Sequence, residues 1–529
     1  MNGSSNSMLS RALTLLLAVL LWAACTASGV EEVRQPAAAG KFYPGEPTEL
    51  REEVAYLLQS AEPQVPADLQ KQRPIALIVP HAAYRYSGRT AAACYKLLED
   101  APAPSRVIMV GPTHTGVLWA TCSVAAHSAY ATPLGEVPVD TGLRQALIEQ
   151  EPFHGTRHAH RTEHCLEVQL PFMQALWPDT PPIAPIIVGR LSSEHYARAS
   201  DALARLLDED TLLVISTDFT HYGPRFRYTP FEGTRGERLR RKIRDLDMEA
   251  VRHIERLDPE GFSDFMEARQ PTICGARAVT ILLGVLSRSD KVRPVFLEWR
   301  NSGQATGSYQ NSVSYVGMAF YGPAEAVQEI RQSVAGATSV SVPAEASPRL
   351  DEDERRTLLD LAREAIRCVL SQEGRVQVPE NLTDTLRSAS GAFVTLKRDG
   401  KLRGCVGRAA TDAPLWATVA RVAPLAALKD PRFPPVTLKE LDRLSIEISV
   451  LGALTPVRDT HSIQVGEDGL ALRQGDRSAV LLPQVAEERG WSRRQFLEAL
   501  CRKADLPPDA YDRDDVLVYR FSATVFSDQ

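Results

Sequence analysis

Nowhere in the 529 residues does a C-x-x-C pair occur, and the eight cysteines fall at irregular spacings, so neither a zinc ribbon nor a disulfide-stapled scaffold is supported. An H-E-x-x-H helix is missing as well, which leaves zinc-dependent hydrolysis without its usual signature. No long Lys/Arg run is present, and 60 basic against 66 acidic residues give a net charge of −6. The chain therefore lacks the electrostatic footprint of a nucleic-acid reader, and no nucleic-acid partner is expected. Beyond the first thirty residues no stretch approaches the ~18 uninterrupted apolar residues of a membrane-spanning helix. No internal repeat relates the two halves. What is there is a globular composition, 44% apolar and 24% charged, over a length that at roughly 150 residues per domain predicts at least two domains.

Residues 12–24 read ALTLLLAVLLWAA behind Arg11 and are followed by the small residues CTASG, the pattern of an export signal over residues 1–27. Cys25, after Trp22-Ala23-Ala24, sits where a bacterial lipoprotein carries its lipid-modified cysteine, with cleavage near Ala27 as the alternative. The expectation is an exported protein, periplasmic or anchored to the membrane through Cys25, and a cytoplasmic one if the signal does not function.

Strand-like apolar runs at 75–79, 106–110, 183–188 and 212–215 alternate with helix-like stretches at 90–98, 194–207 and 239–254. This alternation predicts an α/β sheet covered by helices, with its chemistry at the strand ends. The Ala/Ser/Val/Pro-rich stretch at 323–349 reads as a linker. An amphipathic helix at 354–370 then opens a second, α+β domain, with strands at 392–396, 445–450 and 479–482 and a helix near 493–504.

Three of the predicted strands run into a histidine: IVPHAAYRYSG with His81, VGPTHTG with His114 and STDFTHYG with His221. If these strands share one parallel sheet, the three imidazoles meet at its carboxyl edge and a metal site follows, although any one strand-end histidine is more often structural. Cys274 in QPTICGARAV precedes an apolar helix-like run, where a thiolate is favoured; its bland reading is a buried small hydrophobe, as for Cys94, Cys122, Cys165 and Cys368. The stretch FHGTRHAHRTEHCLEVQLPF holds His154, His158, His160 and His164. His158-x-His160 is metal-like in spacing but more often a solvated loop. Glu163, His164 and Glu167 would lie together and could move protons near a metal, or simply cap a helix.

AAGKFYPGEP, PHAAYRYSG, GPTH, TPLGEVPVD, EHCLEVQLPF, STDFTHYG, ICG and SYVGMAFYG, in this order over residues 33–322, resemble the Memo family. The resemblance implies an α/β fold similar to class III extradiol dioxygenases, a metal held by His81, His114 and Cys274, and a pocket lined by His221 and Asp218. Fe(II) is the metal expected, with Cu or Zn as alternatives. Cys274 stands where true extradiol dioxygenases have a carboxylate, which argues against ring cleavage. His221, Asp218 and His164 are the candidates for proton transfer.

GAFVTLKRDGKLRGCVG, DPRFPPV, LSIEISVL, VGEDGL and LLPQVAEERGW resemble the AMMECR family over residues 350–525. Cys405 in LRGCVG is expected on a Gly-flanked turn beside Arg403, as a nucleophile, a sensor or a packed thiol. In prokaryotes the two families are similar to proteins B and A of the AmmeMemoRadiSam system, which implies a functional link to a radical-SAM enzyme. The expected function is a metal-dependent oxidoreductase acting on a small molecule; the alternative is a copper- or iron-binding or ligand-binding protein without turnover.

Overall fold

The structure, a computed structural model, describes residues 32–70, 72–114, 118–335, 347–372, 374, 376–378, 382–411, 413–475, 477–513 and 515–528. The export-signal segment 1–27 with Cys25 and the middle of the 323–349 stretch lie outside the described residues.

The first domain is built on a nine-stranded mixed sheet. Its main strands are β1 (Ala76–Val79), β2 (Arg106–Pro112), β3 (Cys122–Ala125), β4 (Phe153–Thr156), β5 (Ile183–Val188), β6 (Thr211–Ser216), β7 (Arg293–Asn301) and β8 (Ser312–Tyr321). They run in the order β7-β8-β1-β6-β2-β5-β3-β4, and His221–Tyr222 adds a short strand against β8. β1, β6, β2 and β5 are mutually parallel. Their continuous apolar sequences suit a sheet covered on both faces, and β1 shows how. Ala76 and Ile78 enter one hydrophobic core while Leu77 and Val79 enter the other, on the opposite face. At one edge β8 pairs antiparallel with both β1 and β7, with Ile78 opposite Met318.

The linker expectation is corrected at its start. Ala324–Gln332 is a helix, and its Ala326, Val327 and Ile330 are buried in the first domain's core. Near its far end, the Ser347 N–H donates to Ser522 Oγ at 2.7 Å, so this end is tied to the second domain.

The smaller second domain is α+β. One four-stranded sheet contains β9 (Ala392–Arg398), β10 (Lys401–Arg408), β11 (Leu444–Leu451) and, beyond it in the chain, Ala523–Ser527. The other contains β12 (Gly469–Gln474), β13 (Arg477–Leu481), Leu517–Phe521 and Thr455–Pro456. The helix Glu352–Ser371 starts at a capping box in which Asp351 and Glu354 bond each other's backbone N–H groups. With Leu415–Leu428 it covers the first of these sheets. Among the described residues no helix is long and apolar enough to cross a membrane.

The domains are docked. Trp119 of the first domain is buried among Leu451, Leu454, Tyr519 and Phe521 of the second, with the Arg473 guanidinium 5.4 Å above its ring. A central buried tryptophan of this kind contributes ~2 kcal/mol or more to an interface. Trp119→Ala is therefore expected to split calorimetric unfolding into two transitions. One unchanged cooperative transition would show that the docking does not depend on this anchor.

Candidate functional site

Because β1, β6 and β2 are adjacent and parallel, residues just beyond their carboxyl ends share one rim of the sheet. His81 lies two residues past β1, His114 two past β2, and Thr217-Asp218 directly follow β6. The His81 and His114 rings are 5.0 Å apart. Cys274 reaches them from the turn before the helix Ala276–Leu286, with Sγ 3.2 Å from His81 Nε2. Gly275 allows this approach: a Cβ there would come within 2.4 Å of the Thr217 side chain. One ligand atom each from His81, His114 and Cys274 lie within 4.8 Å of one another, and the same holds for His114, Glu163 and His164.

Hydrogen bonds fix the imidazoles. The Ser216 hydroxyl donates to the Cys165 carbonyl at 2.7 Å, so its oxygen is left to accept from His81 Nδ1 at 2.9 Å and from Gln169 Nε2 at 3.1 Å. His81 thus carries its proton on Nδ1 and turns the Nε2 lone pair toward Cys274. His114 Nδ1 donates to the Glu163 carboxylate at 2.9 Å, which also accepts the His114 backbone N–H at 2.5 Å. His164 Nδ1 lies 3.2 Å from the same carboxylate. A buried carboxylate holding one ring nitrogen so that the other faces a metal is the usual outer support of a histidine ligand.

Burial, reinforced by His114 and His164, pushes the His81 pKa well below its ordinary value and keeps the ring neutral, the form that ligates. For His114 burial acts the same way, but contacts with Cys165, Cys274 and Glu163 outweigh it and raise the value. Burial would likewise raise the Glu163 carboxyl, yet the His114 and His164 imidazoles hold it well below the usual carboxylate range. The Cys274 thiol is pushed up by burial against the pull of His114.

The third imidazole beside His81 and His114 is His164, at 5.5 and 4.7 Å, not His221. His221 Nδ1 points at the carbonyls of Phe219 and Thr272, both at 2.9 Å. Carbonyls only accept, so Nδ1 carries hydrogen, and in the neutral ring the lone pair is on Nε2. Asp218 makes no hydrogen bond to His221; its Oδ1 accepts the His81 backbone N–H at 2.8 Å, and burial raises its pKa.

Glu167 does not join the cluster. It is wholly buried and bonded to Arg34, Tyr43 and the N–H groups of Ala37 and Ala38. His160 is structural, held between Ser123 and Tyr130, and neither His154 nor His158 belongs to a group of convergent ligands among the described residues. Phe42, which motif reading did not single out within AAGKFYPGEP, lies tilted against the His164 ring with centroids 4.2 Å apart.

Cys405 lies on strand β10 and not on a turn, because LRGCVG continues the pairing with β9, where Thr395 faces Cys405. The Thr395 hydroxyl donates to its sulfur at 3.3 Å, and its backbone N–H donates to Asp430, which pairs with Arg432. Arg403 is engaged by Glu440 instead. Cys405 remains half-buried, whereas Cys94, Cys122, Cys165 and Cys501 are buried, and the half-buried Cys368 thiol is pushed up by burial and by Glu364. Brief treatment with limiting iodoacetamide should therefore label Cys405 first and Cys368 second, read by peptide mass mapping. Faster labelling of the four buried thiols would refute this order.

The Memo-like protein family matches residues 34–319 and the AMMECR1 family residues 359–526. A MEMO1 family protein of Aquifex aeolicus is 35% identical over 291 residues, 54% of this chain and 99% of that protein. The memo-1 homolog of Caenorhabditis elegans is 30% identical over 302 residues, 55% of this chain and 84% of its own length. A protein of Methanothermobacter thermautotrophicus is 43% identical over 183 residues, 34% of this chain and 95% of that one. Among solved structures, a protein from Pyrococcus horikoshii is similar at 38% identity with a TM-score of 0.31, over 32% of this chain and 90% of that one. With a Memo match over more than half its length and an AMMECR1 match behind it, the chain belongs to the Memo family and is a fusion of a Memo domain with an AMMECR1 domain.

Proposed function

We propose that the Memo domain is a metal-dependent oxidoreductase of the non-haem iron type, acting on a small molecule, with His81, His114 and Cys274 as the metal ligands. The observation that carries this reading is the convergence of two imidazoles and a thiol within 4.8 Å while Ser216 and Glu163 secure the Nδ1 atoms. Two nitrogens and a sulfur fit a single Fe, Cu or Zn ion. A bound Fe(II) would supply redox chemistry and polarise a substrate oxygen. The His221 Nε2 lone pair is suited to take a proton from a substrate hydroxyl. Phe42 against His164 gives the substrate an apolar wall.

A second reading, a copper- or iron-binding protein without turnover, is favoured by the cysteine in the ligand set, since thiolate with imidazole suits Cu(I). Metal analysis of anaerobically purified chain, followed by oxygen uptake against catechols and a metabolite panel, separates the two. In the catalytic case His221→Gln should keep its metal and lose roughly 10²–10⁴-fold in turnover. A metal-free His221→Gln would make His221 a ligand, and fully loaded protein with no oxygen uptake would favour the binding reading.

A further inference from the structure

Away from the histidine cluster, a cavity of about 700 Å³ lies where the two domains meet. Arg144 enters it from the helix Thr141–Ile148, Arg157 and Arg161 from the segment around the short helix His158–Arg161, and His127 from just beyond β3. The second domain contributes Asp515, whose carboxylate accepts from Gln474 Nε2 at 2.7 Å. It also brings Gly475, in the turn between β12 and β13, against His158. A Cβ at 475 would lie 2.6 Å from the His158 ring, and φ there is +58°, so glycine is what lets the chain beyond β12 come so close to His158.

Three guanidinium groups thus face one cavity against two carboxylates, and both carboxylates are engaged: Asp515 by Gln474, and Glu32 at 3.9 Å from Arg157. Two nitrogens in the lining, Arg144 Nε and His127 Nδ1, are buried with no hydrogen-bond partner, and His127 is only 3% exposed. The Arg144 Nε–H is a donor, and buried N–H groups are normally paired, so this lining is short of an acceptor. Burial and the charge of Arg34 hold His127 at about 4, so it is neutral and serves as a hydrogen-bonding group, not as a cation. Arginine forks match planar or tetrahedral oxyanions, and 700 Å³ is room for a small metabolite.

We propose that this junction is a binding site for a small oxyanionic metabolite, a phosphate or dicarboxylate headgroup gripped by Arg144 and Arg161. The second domain completes the site, so Memo domains that stand alone lack its closed form. The segment carrying Arg157 and Arg161 runs directly on to Glu163, whose carboxylate holds the ligand His114, so one short stretch of chain carries part of the anion site and the support of a metal ligand.

Isothermal titration of the full chain at low ionic strength, with inorganic phosphate and separately with succinate, tests the proposal. One saturable site per chain is expected for at least one of them, and the preferred anion identifies the headgroup. The double variant Arg144→Gln/Arg161→Gln should bind about tenfold more weakly or worse, with bound metal unchanged. Should that variant fail to fold, Gly475→Val, which forces the chain beyond β12 off His158, should weaken binding instead. The proposal is overturned if neither anion saturates at millimolar concentration, if the signal disappears in chloride of equal ionic strength, or if the arginine variant binds as well as the parent.

Discussion

Replacing His81, His114 or Cys274 by alanine, one at a time, should strip the chain of most of its metal. The argument is geometric. Three ligand atoms within 4.8 Å of one another can share a single ion, and each removal leaves only two in that group. Loss of an outer hydrogen-bond partner alone typically costs 10–100-fold in metal affinity, so loss of a ligand should cost ~100-fold or more. Glu163→Gln supplies the comparison: it weakens the hold on His114 and His164 without removing a ligand, and should fall between the parent and the alanine variants. Metal per chain, measured by mass spectrometry after dialysis against a chelator, reads all four. Full retention in any two of the alanine variants would sink the assignment. Retention lost in Glu163→Gln as completely as in His114→Ala would shift the metal toward the second group, His114 with Glu163 and His164.

Much of this was legible in the sequence because it depends on local pattern. The buried parallel strands announce themselves as unbroken apolar runs, and His81 and His114 follow them directly. Cys274 is marked by the glycine behind it. The exchange of His221 for His164 was not legible, since both follow plausible elements and the choice depends on where residues 158–164 cross the rim. The same holds for Glu163 and Glu167, one turn apart. One meets imidazoles and the other meets Arg34, which is distant in sequence by 133 residues. Cys405 misled because glycines on both sides suggest a turn, whereas in β10 Gly404 makes room for the backbone of Ala426, 2.2 Å from where a Cβ would stand. The helix Ala324–Gln332 was hidden because its sequence AEAVQEIRQ is mostly polar and buries only Ala326, Val327 and Ile330, so it reads equally as linker or as a helix with a narrow apolar face.

Arg34→Met is expected to be the most destabilising single change in the Memo domain. Arg34 is 1% exposed and donates to four acceptors: the Glu167 carboxylate and the carbonyls of Gln35, His160 and Glu163, while its guanidinium lies over the Tyr130 ring. Breaking a buried ion pair from one side leaves an uncompensated charge and costs about 3–5 kcal/mol, a large share of the 5–15 kcal/mol that holds a typical domain together. At roughly 2–4 °C per kcal/mol the melting temperature should drop on the order of 10 °C. Removing both charges, as in Arg34→Met/Glu167→Leu, often restores stability when the pair stands alone. Here it should restore only part, because Glu167 also accepts from Ala37, Ala38 and Tyr43, and those donors would be left buried without partners. The damage should also reach the metal, since the carbonyls of His160 and Glu163 that Arg34 holds belong to the segment presenting Glu163 to His114. Thermal melts of the two variants beside the parent, with metal content measured on the same samples, decide the matter. A melting temperature within two degrees of the parent for Arg34→Met, or full recovery in the double variant, would mean that Glu167 is solvated or repaired in some other way and that the N-terminal segment is not pinned by this pair.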